Sequence, residues 1–158
     1  MPAEPTDPDV EDVVGRRPPG APVLRGQGPA VAAVAAGGVL GALARWAVGL
    51  LAPAPPGAFP WGTFGVNVVG SLLMGVLVVV VTEVRTAHPL VRPFLGVGVL
   101  GGFTTFSTFA VDARTLLDGG HAATALAYLG GTIGAAVLAA ATGMLVARRV
   151  AAGRGARR

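Results

Sequence analysis

The sequence predicts an all-α membrane protein with four transmembrane helices, of which the third is broken. Hydrophobic residues make up 53% of the 158-residue chain and its mean hydropathy is +0.67, whereas charged residues gather near the ends and in short gaps. That distribution is typical of a membrane protein rather than of a soluble core. Four apolar stretches reach the length of about 20 residues that crosses a bilayer, and the third holds glycines and threonines, which helix interiors disfavour.

The four predicted spans follow one another with short gaps. We expect the first over residues 29–52, with Arg45 inside it, and the second over residues 60–82, with no charge. The third covers residues 90–117 and the fourth residues 122–147. Proline and acidic residues predict a disordered extension over residues 1–28, and residues 148–158 form a basic tail. A signal peptide is the weaker alternative, because the apolar run begins late, continues far and contains Arg45.

The arginines are distributed unevenly across the predicted membrane. With four spans, the termini and the loop between the second and third spans share one side, which has ten arginines against two on the other. This bias predicts that both termini are cytoplasmic. Arginines that flank apolar spans do not indicate a nucleic-acid partner, and a chain without Cys has no disulfide or thiolate metal site. The ten are Arg16, Arg17, Arg25, Arg85, Arg92, Arg148, Arg149, Arg154, Arg157 and Arg158.

The third span is unsuited to a plain membrane helix. No charge interrupts the 19 residues from Pro93 to Val111, whose midpoint is Gly102. Unwound backbone at that depth must be buried in protein or line a polar cavity, because lipid offers no hydrogen bonds. A helix broken at the membrane midplane is a common way to build an ion site.

The second span carries a polar stripe. Thr63, Asn67 and Ser71 recur every four residues and therefore share one helical face. The spacing leaves two interpretations open, an ion pathway or an Asn67 that joins neighbouring helices by hydrogen bonds. Tyr128 and Thr132 form a similar pair in the fourth span.

Three motifs together resemble the Fluc/CrcB family of fluoride channels. They are Gly-Gly-x-x-Gly-Ala-x-x-Arg at residues 37–45, Gly-Thr-x-x-x-Asn-x-x-Gly-Ser at 62–71 and Gly-Gly-Phe-Thr-Thr-Phe-Ser-Thr-Phe at 101–109. The resemblance covers residues 30–147 and implies an antiparallel (inverted) dimer of four-helix subunits with two fluoride pathways. It also implies a structural Na⁺ ion, not transported, that backbone carbonyls of Gly101 and Thr104 hold on the central axis.

The resemblance assigns further side chains to the fluoride pathway. The amide of Asn67 would help to replace the water around the ion, and Phe106 and Phe109 would present the positive edges of their rings. The hydroxyl-bearing pathway residues are Thr63, Ser107, Thr108, Tyr128 and Thr132.

Three residues near the pathway have less specific roles. Arg45 either anchors the end of its helix or attracts anions, and Gly102 is structural or lines a vestibule. Asp112 stands where many family members have Glu, which leaves the role of this shorter carboxylate open.

The implied function is passive exit of cytoplasmic fluoride through a channel in the plasma membrane. No set of nucleophile, base and orienting group indicates an enzyme. Small multidrug transporters also have four helices, but they use a carboxylate in the first span, and this first span has none. A membrane assembly subunit that transports nothing would leave the polar series at membrane depth unexplained.

The uneven distribution of arginines also predicts which kind of subunit forms the dimer with this chain. Family members that form homodimers insert in both orientations and show little arginine bias, unlike this chain. We therefore expect an oppositely oriented paralogous subunit as partner, with a homodimer as the alternative.

Overall fold

The computed structural model describes residues 26–84 and 88–155, and this part of the chain is all-helical. Most of the extension predicted for residues 1–28 lies outside the described residues. The helices are α1 (Gly28–Leu51), α2 (Trp61–Val79), the π-helix π1 (Val80–Val84), the π-helix π2 (Arg92–Leu100), α3 (Gly101–Phe103), α4 (Ser107–Asp118) and α5 (Ala122–Gly155).

Four helical stretches are long and apolar enough to cross a membrane, as the sequence predicts. They are Gly28–Leu51, Trp61–Glu83, Arg92–Asp118 and Ala122–Gly153. The fourth continues beyond residue 147, where its span was expected to end, so that Arg148 and Arg149 extend the same helix. The first three predicted spans agree with the structure to within a few residues.

Proline and glycine set the helix ends. Pro29 lies in the first turn of α1, where a missing N–H costs no hydrogen bond. Between α4 and α5, Gly120 has a φ of +80°, a conformation that residues with a Cβ rarely adopt. This turn brings the N–H of His121 to the carbonyl of Leu116 at 2.8 Å. The chain therefore reverses within a few residues, and α5 packs against α4.

Glycines allow two close helix contacts. α1 packs against π2 and α3, where a Cβ at Gly98 would lie 2.9 Å from the Cα of Gly37. α2 packs against α5, where a Cβ at Gly75 would collide with the carbonyl of Ala140 and one at Gly143 with the carbonyl of Leu72. Small residues at such contacts let membrane helices approach closely, and packing is what holds them together in lipid.

An ion pair joins the ends of two spans. The guanidinium of Arg148 in α5 donates to both carboxylate oxygens of Glu83 in π1, with its shortest contact at 2.7 Å from Nη2 to Oε1. Both side chains are solvent-accessible. The pair fixes the end of π1 against α5 on the side of the molecule where the loop from π1 to π2 lies.

The α2–α5 contact gives a stability prediction. We expect Gly75→Ala to lower the free energy of unfolding by about 1–3 kcal/mol, because the new methyl group has no room beside the Ala140 carbonyl. Gly65→Ala in the same helix is the matched control, since a Cβ there meets nothing within 4 Å. Thermal unfolding of the purified proteins in detergent measures both changes. Equal melting temperatures for the two variants would contradict this packing.

Candidate ion pathway

The backbone leaves helical geometry between α3 and α4. α3 ends at Phe103, Thr104 is extended with φ −73° and ψ 157°, and α4 begins at Ser107. Regular N–H to carbonyl pairing is therefore interrupted in this segment, although the Thr104 N–H still donates to the Leu100 carbonyl at 3.0 Å. Polar backbone groups in this segment need other partners, because an unpaired group in hydrocarbon costs several kcal/mol.

Asn67 supplies those partners to Thr105. Its Nδ2 donates to the Thr105 carbonyl at 3.0 Å, and its Oδ1 accepts from the Thr105 N–H at 2.8 Å. One of the two amide hydrogens of Asn67 is thus used within the protein, and the other remains available. The side chain joins α2 to the segment between α3 and α4, as the hydrogen-bonding interpretation predicts, and it also lines a cavity.

Thr105 also caps the start of α4. Its Oγ1 accepts from the Thr108 N–H at 3.1 Å, donates to Thr108 Oγ1 at 3.0 Å and lies 3.3 Å from Ser107 Oγ. Such a side-chain acceptor replaces the carbonyl that the first turn of a helix lacks. The sequence analysis missed the capping role of Thr105, although a Thr just before the start of a helix is a known signal for a helix N-terminus.

Two carbonyls lose their usual helical donors through these contacts. The Thr105 N–H goes to Asn67 rather than to Gly101, and the Thr108 N–H goes to Thr105 Oγ1 rather than to Thr104. The Thr104 carbonyl accepts instead from Nη1 of Arg45 at 3.3 Å. Gly101 and Thr104 are the residues that the sequence analysis assigned to sodium.

A second polar cluster surrounds Asp112. Its Oδ2 accepts from Thr63 Oγ1 at 2.7 Å and from the Tyr128 hydroxyl at 3.2 Å. The cluster therefore connects α2, α4 and α5 through one carboxylate. The sequence analysis left the role of Asp112 open because its side chain is shorter than the Glu of many family members, and the spacing does not show that two hydroxyls from other helices reach it.

The two pathway phenylalanines are neighbours with different exposure. The ring centroids of Phe106 and Phe109 lie 5.9 Å apart, and Phe109 lies 5.1 Å from Tyr128. Phe109 and Tyr128 are buried, whereas Phe106 is 80% exposed on the surface of the chain. A large aromatic ring this exposed on the isolated chain lies at a surface that another molecule can cover.

Two cavities flank residues 104–108. The first, of about 480 Å³, is called the Arg45 cavity, and the second, of about 300 Å³, the Phe106 cavity. Polar or charged residues that line the Arg45 cavity are Arg45, Thr63, Thr105, Ser107, Thr108 and Asp112. The Phe106 cavity is lined by Asn67, Ser71, Thr104, Thr105, Phe106, Phe109, Thr132, Ile133 and Ala136.

Thr132 has no hydrogen-bond partner. Its Oγ1 is the one buried side-chain polar atom without a partner among the residues that the structure describes. The side chain is 4% exposed and lines the Phe106 cavity. A buried hydroxyl is normally paired, so its donor is available to a ligand in that cavity.

The structure brings most of the predicted pathway residues to these cavities. Tyr128 lies behind them, fully buried against Phe109 and Asp112. Gly102 lines neither cavity. It faces α1, where a Cβ would lie 2.6 Å from the carbonyl of Gly38. Its role in the described residues is therefore close packing of α3 on α1.

The chain matches a known family and several named proteins. Residues 32–144 match the family described as CrcB-like protein, Camphor Resistance (CrcB). The chain is 59% identical over 126 residues to "Fluoride-specific ion channel FluC 1" of Streptomyces coelicolor, covering 80% of this chain and 82% of that protein. It is 61% identical over 108 residues to "Fluoride-specific ion channel FluC 2" of Streptomyces avermitilis, covering 68% of each.

A third relative extends the match beyond Streptomyces. The chain is 52% identical over 116 residues to "Fluoride-specific ion channel FluC 2" of Nocardia farcinica, covering 73% of this chain and 83% of that protein. All three motifs of the sequence analysis lie within the residues that match the family. The matches confirm the resemblance drawn from those motifs, and the chain belongs to the CrcB family.

Proposed function

We propose that this protein is a subunit of a fluoride-specific ion channel that lets cytoplasmic fluoride leave the cell passively. The names of the three relatives support fluoride as the ion. The observation that carries the proposal is the Phe106 cavity, where two aromatic rings and the unpaired Thr132 hydroxyl meet. A channel in this family is not an enzyme, as the sequence analysis predicts.

The Phe106 cavity suits a small, strongly hydrated anion. A pore must replace the water of such an ion with hydrogen-bond donors and must not trap it at a strong cationic site. Thr132 Oγ1 and the second amide hydrogen of Asn67 are donors, and the edges of Phe106 and Phe109 carry partial positive charge. Since none of the described residues that line this cavity is Lys or Arg, fluoride can be bound there and released again.

The Arg45 cavity is suited to be the vestibule that leads to the pathway. The guanidinium of Arg45 attracts anions, and the negative charge of Asp112 in the same cavity keeps them from being bound tightly. The carboxylate accepts from Thr63 and Tyr128, so these two hydroxyls are directed toward Asp112. When fluoride moves down its own concentration gradient, this arrangement transports it without a second, coupled ion.

The freed carbonyls fit a structural sodium ion chemically. Na⁺ prefers neutral or anionic oxygen ligands, and the Gly101 and Thr104 carbonyls have lost their helical donors to Asn67 and Thr105. The guanidinium of Arg45 shares the Thr104 oxygen and therefore weakens cation binding there. Two carbonyls do not complete a sodium coordination shell, so the site needs the same residues from a second subunit. We propose that Na⁺, when bound, holds two subunits together and takes no part in transport.

An antiparallel dimer accounts for the surface of the chain. The apolar windows of the four spans are only 11–28% buried within one chain, and the Phe106 ring is exposed beside its cavity. Gly101 is exposed, and a Cβ there would meet only the Gly96 carbonyl at 3.7 Å, so its own chain does not require a glycine. A second subunit against this surface would enclose the pathway.

Orientation in the plasma membrane follows from the arginine bias. Arg92, Arg148 and Arg149 lie at span ends on the side of the π1–π2 loop, which we propose is cytoplasmic. A chain with one fixed orientation needs an oppositely oriented paralogue to form an antiparallel dimer. A homodimer would require the same chain to insert both ways.

The channel proposal is tested by ion efflux from liposomes. We expect vesicles with this chain and its paralogue to release fluoride rapidly and chloride not at all. Phe106→Leu should lower fluoride efflux at least about tenfold, because it keeps apolar volume but removes a ring edge from the pathway. Phe103→Leu is the matched control, since Phe103 lines neither cavity. Chloride efflux equal to fluoride efflux from the folded pair would contradict the proposal.

The sodium proposal is tested by stability rather than by transport. We expect the melting temperature of the assembled protein to be higher in NaCl than in N-methylglucamine chloride at equal ionic strength, because an ion that binds only the folded state stabilises it. Arg45→Gln should increase the sodium-dependent part of the shift, since it removes the competing cation. Identical melting curves in both salts would contradict the sodium site without contradicting the proposed fluoride pathway.

The topology proposal is tested with a reporter fused to the C-terminus. We expect the reporter to be found only in the cytoplasm. Arg148→Gln combined with Arg149→Gln should shift part of the population, while Arg114→Gln, on the other side, should not. A reporter detected equally on both sides in the wild type would support a homodimer and contradict the fixed orientation.

A further inference from the structure

Thr105 lies between the two cavities. It lines both the Arg45 cavity and the Phe106 cavity, and the residue is buried, with 7% of its surface exposed. Thr104 lines the Phe106 cavity alone, and Ser107 and Thr108 line the Arg45 cavity alone. An ion that moves between the cavities along this chain therefore passes Thr105.

The hydroxyl of Thr105 has a fixed hydrogen-bond direction. A threonine hydroxyl has one hydrogen to donate, and that of Thr105 goes to Thr108 Oγ1. Thr105 Oγ1 also accepts from the Thr108 N–H, which keeps the oxygen at the first turn of α4. In the contact with Ser107 at 3.3 Å, Thr105 can therefore only accept.

These directions determine where the neighbouring hydroxyl hydrogens point. Because Thr108 Oγ1 receives a hydrogen from Thr105, its own hydrogen points away from Thr105. Among the described residues Thr108 donates that hydrogen to no protein acceptor, and its exposed side chain lines the Arg45 cavity. Ser107 can donate to Thr105 when no ion is present and turn its hydrogen toward an anion that arrives.

The main chain of Thr105 is held in place at the same time. Asn67 bonds both its N–H and its carbonyl, so the residue cannot rotate without breaking two hydrogen bonds. Its hydroxyl therefore stays at the boundary of the two cavities.

From this geometry, we propose that Thr105 is a positioning residue that directs the hydroxyl donor of Thr108 toward an anion entering from the Arg45 cavity. The inference rests on the proposed fluoride function and adds a residue to it. Thr105 acts through its neighbours, and the ion need not be bound by Thr105 itself.

The test compares Thr105→Val, which keeps the shape but removes the hydroxyl, with Thr105→Ser, which keeps the hydroxyl. Fluoride efflux from liposomes is measured against fluoride concentration for the assembled channel. We expect Thr105→Val to raise the half-saturating fluoride concentration about tenfold, the usual scale for losing one hydrogen bond to a charge, and Thr105→Ser to restore it. Thr115→Val is the matched control, because the Thr115 hydroxyl donates to the Val111 carbonyl of its own helix and lines neither cavity.

A purely structural role would give a different result. It would lower the maximal rate through fewer folded channels, with the half-saturating concentration unchanged, and that outcome would overturn the inference. The double variant Thr105→Val with Thr108→Val should be no worse than Thr108→Val alone, since both act on one donor. Fully additive losses would also overturn it.

Two further results separate this inference from the proposed function. Wild-type vesicles that release no fluoride would contradict the channel itself, whereas a conducting wild type with an unaffected Thr105→Val would contradict only the role of Thr105. If Thr105→Val does not give a monodisperse protein, Thr105→Cys replaces it. The thiol is a weaker donor and acceptor, so an intermediate half-saturating concentration supports the inference and a wild-type value contradicts it.

Discussion

The satisfaction of backbone hydrogen bonds at membrane depth is the constraint on which the rest of the structure depends. Lipid offers no hydrogen bonds to the residues between α3 and α4, so each N–H and carbonyl there needs a partner in the protein or in a polar cavity. Asn67 gives Thr105 two such partners at 3.0 and 2.8 Å. In doing so it removes the donor from the Gly101 carbonyl. One amide side chain thus stabilises the extended segment and also creates an unpaired oxygen beside it.

The same segment separates groups of opposite character. The carbonyls of Gly101 and Thr104 lose their helical donors, and that of Thr104 accepts from Arg45 instead, whereas hydroxyl donors, which attract anions, follow at Ser107 and Thr108. A regular helix would pair those carbonyls with N–H groups and expose neither set. Because Thr105 caps α4 with its side chain, the first turn of that helix is stable while Thr104 remains extended. In the proposed channel, a short departure from helical geometry would therefore place the cation site and the anion pathway next to each other.

Much of the fold could be predicted from the sequence because hydropathy and helix ends are local properties. The four spans, the unusual third span and the polar stripe of the second span follow from composition and spacing, whereas the residues of the third span near both cavities came from the family resemblance. The hydrogen-bond partners follow from neither, since they depend on how distant helices meet. Asn67 was correctly placed on a polar stripe, but its pairing with a residue 38 positions later needs the contact between α2 and the third span. Asp112 needed the approach of Thr63 and Tyr128 from two other helices.

Under the proposed function, the charges of Arg45 and Asp112 let one cavity admit an anion without holding it. An isolated guanidinium in a site with little water would bind fluoride strongly, because the attraction between charges increases as the effective dielectric constant falls. Arg45 donates to the Thr104 carbonyl, and Asp112 lines the same cavity. The carboxylate offsets part of the positive potential, while Thr63 and Tyr128 hold it in place. On the proposed pathway, an ion that moves from this cavity to the uncharged Phe106 cavity exchanges a partly cancelled charge for hydroxyl, amide and ring-edge donors, and conduction requires such weak binding at successive sites.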